Sequence, residues 1–113
     1  MTIIKSKRLL EEYEFNGLRI KLYDEDFEHA LSQHPGEVSR DLIKNCIQQP
    51  DLIVQSIQGK NACLFYEMKL KNHYFVVVVH VSGPGAGEIK TAYNATYIKN
   101  GTVLFQKETT NES

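Results

Sequence analysis

The sequence predicts an α+β fold, with an N-terminal β-hairpin, two helices, and a roughly four-stranded antiparallel sheet on which the helices pack. Three observations carry that prediction. Apolar and polar residues alternate about an Asn-Gly pair in "EEYEFNGLRIKLY" (11–23). Apolar residues then recur at helical spacing, and from residue 51 onward the period falls to two. At 113 residues the chain has the size of one domain. We expect a single domain over 1–107, with its core at about 24–106 and a disordered polar tail at 108–113.

In the hairpin, both central residues of a type I′ turn need positive φ, which Asn16-Gly17 supplies. That turn sets Phe15 against Leu18, Glu14 against Arg19, Tyr13 against Ile20 and Glu12 against Lys21, so apolar pairs alternate with opposite charges. Asp24 is placed to cap a first helix whose opening turn is acidic. Phe27, Ala30, Leu31 and His34 form its apolar stripe, and Pro35 ends it by disfavouring the α conformation at His34. A second helix fits Glu37 to Gln49, with Val38, Leu42 and Cys46 facing inward, Ile43 and Ile47 as further candidates for that face, and Pro50 as the stop.

"DLIVQSI" reads as a strand, followed by a turn at Gly59-Lys60-Asn61. "ACLFYEMKL" puts Cys63, Phe65, Glu67 and Lys69 on one face and Leu64, Tyr66 and Met68 on the other. "YFVVVVHV" (74–81) is apolar on both faces, as a central strand must be. "SGPGAG" (82–87) reads as a flexible loop; it lacks the following Lys-Ser/Thr of a nucleotide-binding P-loop. "EIKTAYNATY" and "TVLFQ" complete the meander, with Thr91 and Tyr93 sharing a face with Ile89 and Ala95.

The net charge of −1 argues against a uniformly basic nucleic-acid binder. The halves differ, however. Residues 1–51 carry seven Lys/Arg against ten Asp/Glu, whereas 52–107 carry six lysines against Glu67 and Glu88. A polyanion would fit the C-terminal half better, although scattered surface lysines are the commoner explanation of such a surplus. No stretch reaches the ~18 apolar residues of a membrane helix, and charges from Lys5 to Glu12 interrupt any hydrophobic leader. The chain reads as cytoplasmic, without a membrane partner, and Cys46 and Cys63 read as buried hydrophobes.

"FEHALSQHP", a helix ending in "QQPD", "FVVVVH", a glycine-rich loop and "IKTAY" together resemble the phage-type barnase–EndoU–colicin–RelE nuclease superfamily, over roughly residues 24–106. The resemblance implies two helices followed by a four-stranded antiparallel sheet. It also implies a small metal-independent ribonuclease without cofactor, in many cases a toxin held in check by an antitoxin or immunity protein. Carried over residue by residue, it points to His29, His34 and Thr91 as catalytic and to Tyr93 as a substrate contact. The chain departs from the pattern at Gln33, where relatives carry arginine, and at His80-Val81, where they carry Tyr-Arg.

Such a reaction needs a base for the ribose 2′-OH, an acid for the leaving 5′ oxygen, and donors for the crowded phosphorane. Histidine suits both proton roles, with its ordinary pKa of about 6.5. His34 and His29 are the expected acid–base pair; Lys69, His80, Tyr93 and Lys60 are the expected substrate-binding groups. Five residues apart, the two histidines lie about 140° apart on an ideal helix. They converge only if the helix ends before His34, and a zinc pair at i and i+4 is not formed. The two missing cations favour a different class of function, a catalytically inactive relative that binds RNA or a protein. In a third reading the four histidines are incidental to a structural domain.

Overall fold

The hairpin forms as its Asn-Gly turn dictates. In the computed structural model, which describes residues 7–59 and 61–108, Asn16 and Gly17 have φ of 48° and 84°. Strands β1 (Leu9–Phe15) and β2 (Leu18–Tyr23) pair in the expected register, with Phe15 opposite Leu18 and Tyr13 opposite Ile20. Helix α1 (Asp24–Gln33) follows without a loop. Tyr23 holds the cap position; the Asp24 carboxylate, one residue on, accepts from the backbone N–H groups of Glu25 and Arg8.

The chain leaves α1 at His34, whose φ of −130° and ψ of 63° are no longer helical. His34-Pro35-Gly36-Glu37 is a tight turn closed by the Glu37 N–H on the His34 carbonyl (3.1 Å), with Gly36 at φ 79°. Proline second and a positive-φ glycine third are the type II pattern. Because the turn consumes Glu37, helix α2 (Arg40–Gln48) starts later than expected, capped by Ser39 Oγ on the Leu42 N–H. It buries Ile43, Cys46 and Ile47.

Five further strands follow: β3 (Leu52–Ser56), β4 (Ala62–Leu70), β5 (His73–Gly83), β6 (Ala86–Ala95) and β7 (Gly101–Gln106). All seven strands join one sheet in the order β1-β2-β6-β5-β4-β3-β7. The expected four-stranded antiparallel sheet with a separate hairpin is therefore incorrect; the sheet is seven-stranded and mixed. The reason is burial. Ile20 and Leu22 of β2 are fully buried, so the hairpin cannot stand apart. It adds to the sheet through three parallel pairs, Arg19–Ala86, Ile20–Gly87 and Lys21–Glu88.

"SGPGAG" is correspondingly no flexible loop. β5 runs to Gly83 and β6 begins at Ala86, so only Pro84-Gly85 connect them, and the Gly85 carbonyl accepts from the Arg19 N–H at 2.9 Å. A β-bulge also changes the expected faces. Val78 pairs with Thr91 but Val79 pairs with Ile89, leaving Lys90 as the extra residue. Thr91, Tyr93 and Ala95 share one face, and Ile89 turns to the other.

Both helices pack on the face that carries Phe65, Phe75, Val77, Val79 and Ile89, which form the main core with Ile43, Cys46 and Ile47. The opposite face carries a smaller cluster of Val54, Leu64, Tyr66 and Val76. Among the described residues no helix covers that face. What covers it is the β6–β7 connection, residues 96–100. Since β5, β4 and β3 lie between β6 and β7, this five-residue strap must cross the sheet. Among the described residues no helix is long and apolar enough to cross a membrane. The tail expected over 108–113 lies, from residue 109, outside the described residues, as do 1–6.

Gly101 lets the strap land on β3. A Cβ there would lie 2.1 Å from the Gln55 carbonyl oxygen and 2.6 Å from Val54 Cγ1. Gly101→Ala is therefore expected to lower stability by about 1–3 kcal/mol, the usual range for overpacking, read as a lower urea midpoint at unchanged slope. Tyr13, buried at 5% exposure, has its phenol pushed up to about 12, first by burial and then by Glu11. The neutral phenol is the form the fold favours. Its contribution is complete below the unfolded value of about 10 and is lost as pH rises through about 12. An alkaline unfolding titration should show this decline, which Tyr13→Phe removes.

Candidate nucleic-acid interface on the open sheet face

Strand β6 needs protection along its outer edge, because β2 accompanies it only as far as Glu88. Beyond that point the His34–Glu37 turn takes over. Glu37 Oε1 accepts the backbone N–H of Asn94 at 2.9 Å. The His34 ring lies against Tyr93, with centroids 5.4 Å apart and planes tilted by 31°. "HPGE" is thus a clip on the sheet edge, and it carries an imidazole to the margin of the open face.

On that face a cleft of about 470 Å³ opens beside the strap, within the size range of ligand sites. Tyr66 and Tyr74 meet edge to face with centroids 5.9 Å apart; Tyr93 and Tyr97 complete the aromatic lining. The Lys99 backbone N–H ties the strap to Tyr66 Oη at 3.0 Å. Lys99 Nζ stands 6.0 Å from the centre of the Tyr93 ring, within cation–π range. Lys69, His73 and Lys99 line the cleft, and among the described residues no carboxylate does. Burial raises the Tyr66 phenol above its ordinary range, against a smaller opposing effect of the Lys99 N–H, so it stays a protonated donor. Leu70 and Tyr97, 69% and 65% exposed, form an apolar rim.

Of the residues singled out in the sequence, His34 and Tyr93 come together. Thr91 is two residues from Tyr93 on the same face, and its Oγ1 is buried without a hydrogen-bond partner among the described residues. Lys69, the extra residue of a bulge between Met68 and Leu70, lines the cleft with Tyr93, and its ammonium is paired with Glu67 at 2.9 Å. His29 is exposed on α1 and, among the described residues, makes no ring contact of the kind His34 makes. His80 is exposed at the opposite end of β5, opposite Glu88, whose carboxylate is 3.3 Å from Lys90 Nζ. Lys60 lies outside the described residues.

The expected acid–base set is therefore spread along one face and one helix rather than gathered. Cleft residues that sequence reasoning missed are Tyr66, Tyr74, Tyr97, His73 and Lys99. Alternation along β4, β5 and β6 puts Tyr66, Tyr74 and Tyr93 on one face, a signal that was available. Tyr97 and Lys99 gave none, because the strap's path depends on where β7 pairs.

Cys46 and Cys63 are free and buried, as their apolar surroundings in the sequence predict. The Cys46 thiol donates to the carbonyls of Phe65 (3.2 Å) and Phe75 (3.6 Å), and burial raises its pKa; burial raises that of Cys63 too. Among the described residues no three His, Cys, Asp or Glu side chains gather to hold a metal ion. No protein-family model matches the chain, and no curated protein or solved structure does either.

The clip makes a direct prediction. Glu37→Ala should speed amide hydrogen exchange at Asn94 about tenfold or more, since a hydrogen bond to a charged group contributes roughly 1.5–3 kcal/mol. Glu37→Gln, which keeps an acceptor, should recover most of the protection.

Proposed function

We propose that the chain is a cytoplasmic RNA-binding protein that holds a single strand on the open sheet face. The observation that carries this reading is the cleft, lined by four tyrosines, His73 and Lys99 and by no carboxylate among the described residues; Lys69 lines it too, with its ammonium paired to Glu67. Unpaired bases stack on aromatic side chains while cations follow the phosphates, and this combination is typical of single-strand binding. The lysine surplus of the C-terminal half supports it too, since Lys69 and Lys99 both come from that half. A net charge of −1 is compatible with a basic site confined to one face.

The test is fluorescence anisotropy with labelled hexauridylate at low salt. Tyr93→Ala should weaken binding by roughly 5- to 160-fold, the cost of about 1–3 kcal/mol per stacked base. Lys99→Ala should reduce the slope of log affinity against log salt by about 0.7. Lys44→Ala, exposed on α2 across the sheet, should change neither. Wild-type protein that binds no RNA at low salt would refute the proposal.

The His34 ring on Tyr93 favours a second reading, the metal-independent ribonuclease, acting as a toxin restrained by a partner protein. There His34, at the margin of the cleft, takes the 2′-OH proton. The ribose oxygen attacks phosphorus, the P–O5′ bond breaks, and His73 returns a proton to the leaving oxygen. Lys99 balances the charge of the phosphorane. RNA incubated with the protein in EDTA should then acquire 2′,3′-cyclic phosphate ends, and His34→Ala should abolish them. Intact RNA leaves the binding function as the whole activity.

A further inference from the structure

Tyr66 is only 2% exposed, yet its hydroxyl is half used. Oη accepts the Lys99 N–H, and its own proton has no acceptor among the described residues. Tyr66 lines the cleft, so this donor is left for a group held in that space. We infer that the Tyr66 hydroxyl is a base-reading group, donating to a ring nitrogen or carbonyl of one unpaired nucleobase held in the cleft.

This inference rests on the RNA reading and deepens it. The cleft's size, about 470 Å³, exceeds that of one base and leaves room for its sugar. With its acceptor side occupied by the strap, Oη offers a donor alone, so it favours a base edge that presents an acceptor. Tyr74, edge-on to Tyr66, and Tyr93 supply aromatic surface beside the base. Lys99 is placed for the adjoining phosphate, because the same strap residue gives its N–H to Oη and its ammonium to the Tyr93 side of the cleft. Base and phosphate would thus be held by two residues joined by one hydrogen bond.

The experiment compares wild type and Tyr66→Phe on two probes, hexauridylate and a six-residue ribose-phosphate oligomer lacking bases. Hexauridylate should bind Tyr66→Phe about fivefold more weakly, the size of one hydrogen bond, whereas the abasic oligomer should bind both proteins equally. Equal binding of hexauridylate by both proteins overturns the role of Tyr66. Equal weakening of both probes also overturns it, by assigning the hydroxyl to holding the strap. Either result leaves the RNA reading intact, whereas failure of wild type to bind either probe removes both. Melting curves of the two proteins identify a folding defect, and a Tyr66→Phe variant that is folded but unchanged in affinity counts against the inference.

Discussion

The constraint on which the site depends is the crossing from β6 to β7. β6 lies inside the sheet and β7 at its far edge, so the chain must pass over three strands in five residues. That passage brings Lys99 onto Tyr66, across the face that carries a second small core of Val54, Leu64, Tyr66 and Val76. Had β7 paired elsewhere, these residues would be an exposed apolar patch. Instead the strap covers part of the face and leaves the cleft along its side. The same crossing requires glycine at 101, where no side chain fits between strap and β3.

A second constraint is the unprotected edge of β6. Sheets blunt their edges with charges, bulges or covering segments, and β6 uses all three, in Glu37, the extra Lys90, and α1 with its terminal turn. The turn residues have structural duties first, for Pro35 ends the helix and Gly36 allows the reversal. The chemistry at His34 is a consequence of that architecture. An imidazole at a helix end, tilted against Tyr93 of the open face, is partly exposed and close to the cleft without being part of its lining. Binding therefore makes fewer demands on this geometry than cleavage does.

Local features were legible in the sequence. The hairpin register followed from Asn16-Gly17 and the charge alternation, and the end of α1 from Pro35. The span of β4 agrees residue for residue with "ACLFYEMKL". The sheet itself was not legible, because its decisive contact joins Ile20 to Gly87 in only three parallel pairs. Such a pairing leaves no periodic trace. The face of Ile89 was misread because one bulge residue, Lys90, shifts the alternation by a step. For the site, His34 and Tyr93 were identifiable as residues but not as neighbours. Lys99 and Tyr97 sit in a segment whose path is decided by strands on either side of it.

The most direct measurement is a ¹H–¹⁵N NMR titration of the protein with hexauridylate. Shift changes confined to β6 around Tyr93 and Asn94, to Tyr66 and to residues 96–100 are the predicted result. Changes on α2 and β1 around Lys44 and Tyr13, or none at saturating RNA, would contradict the assignment of RNA to the open face.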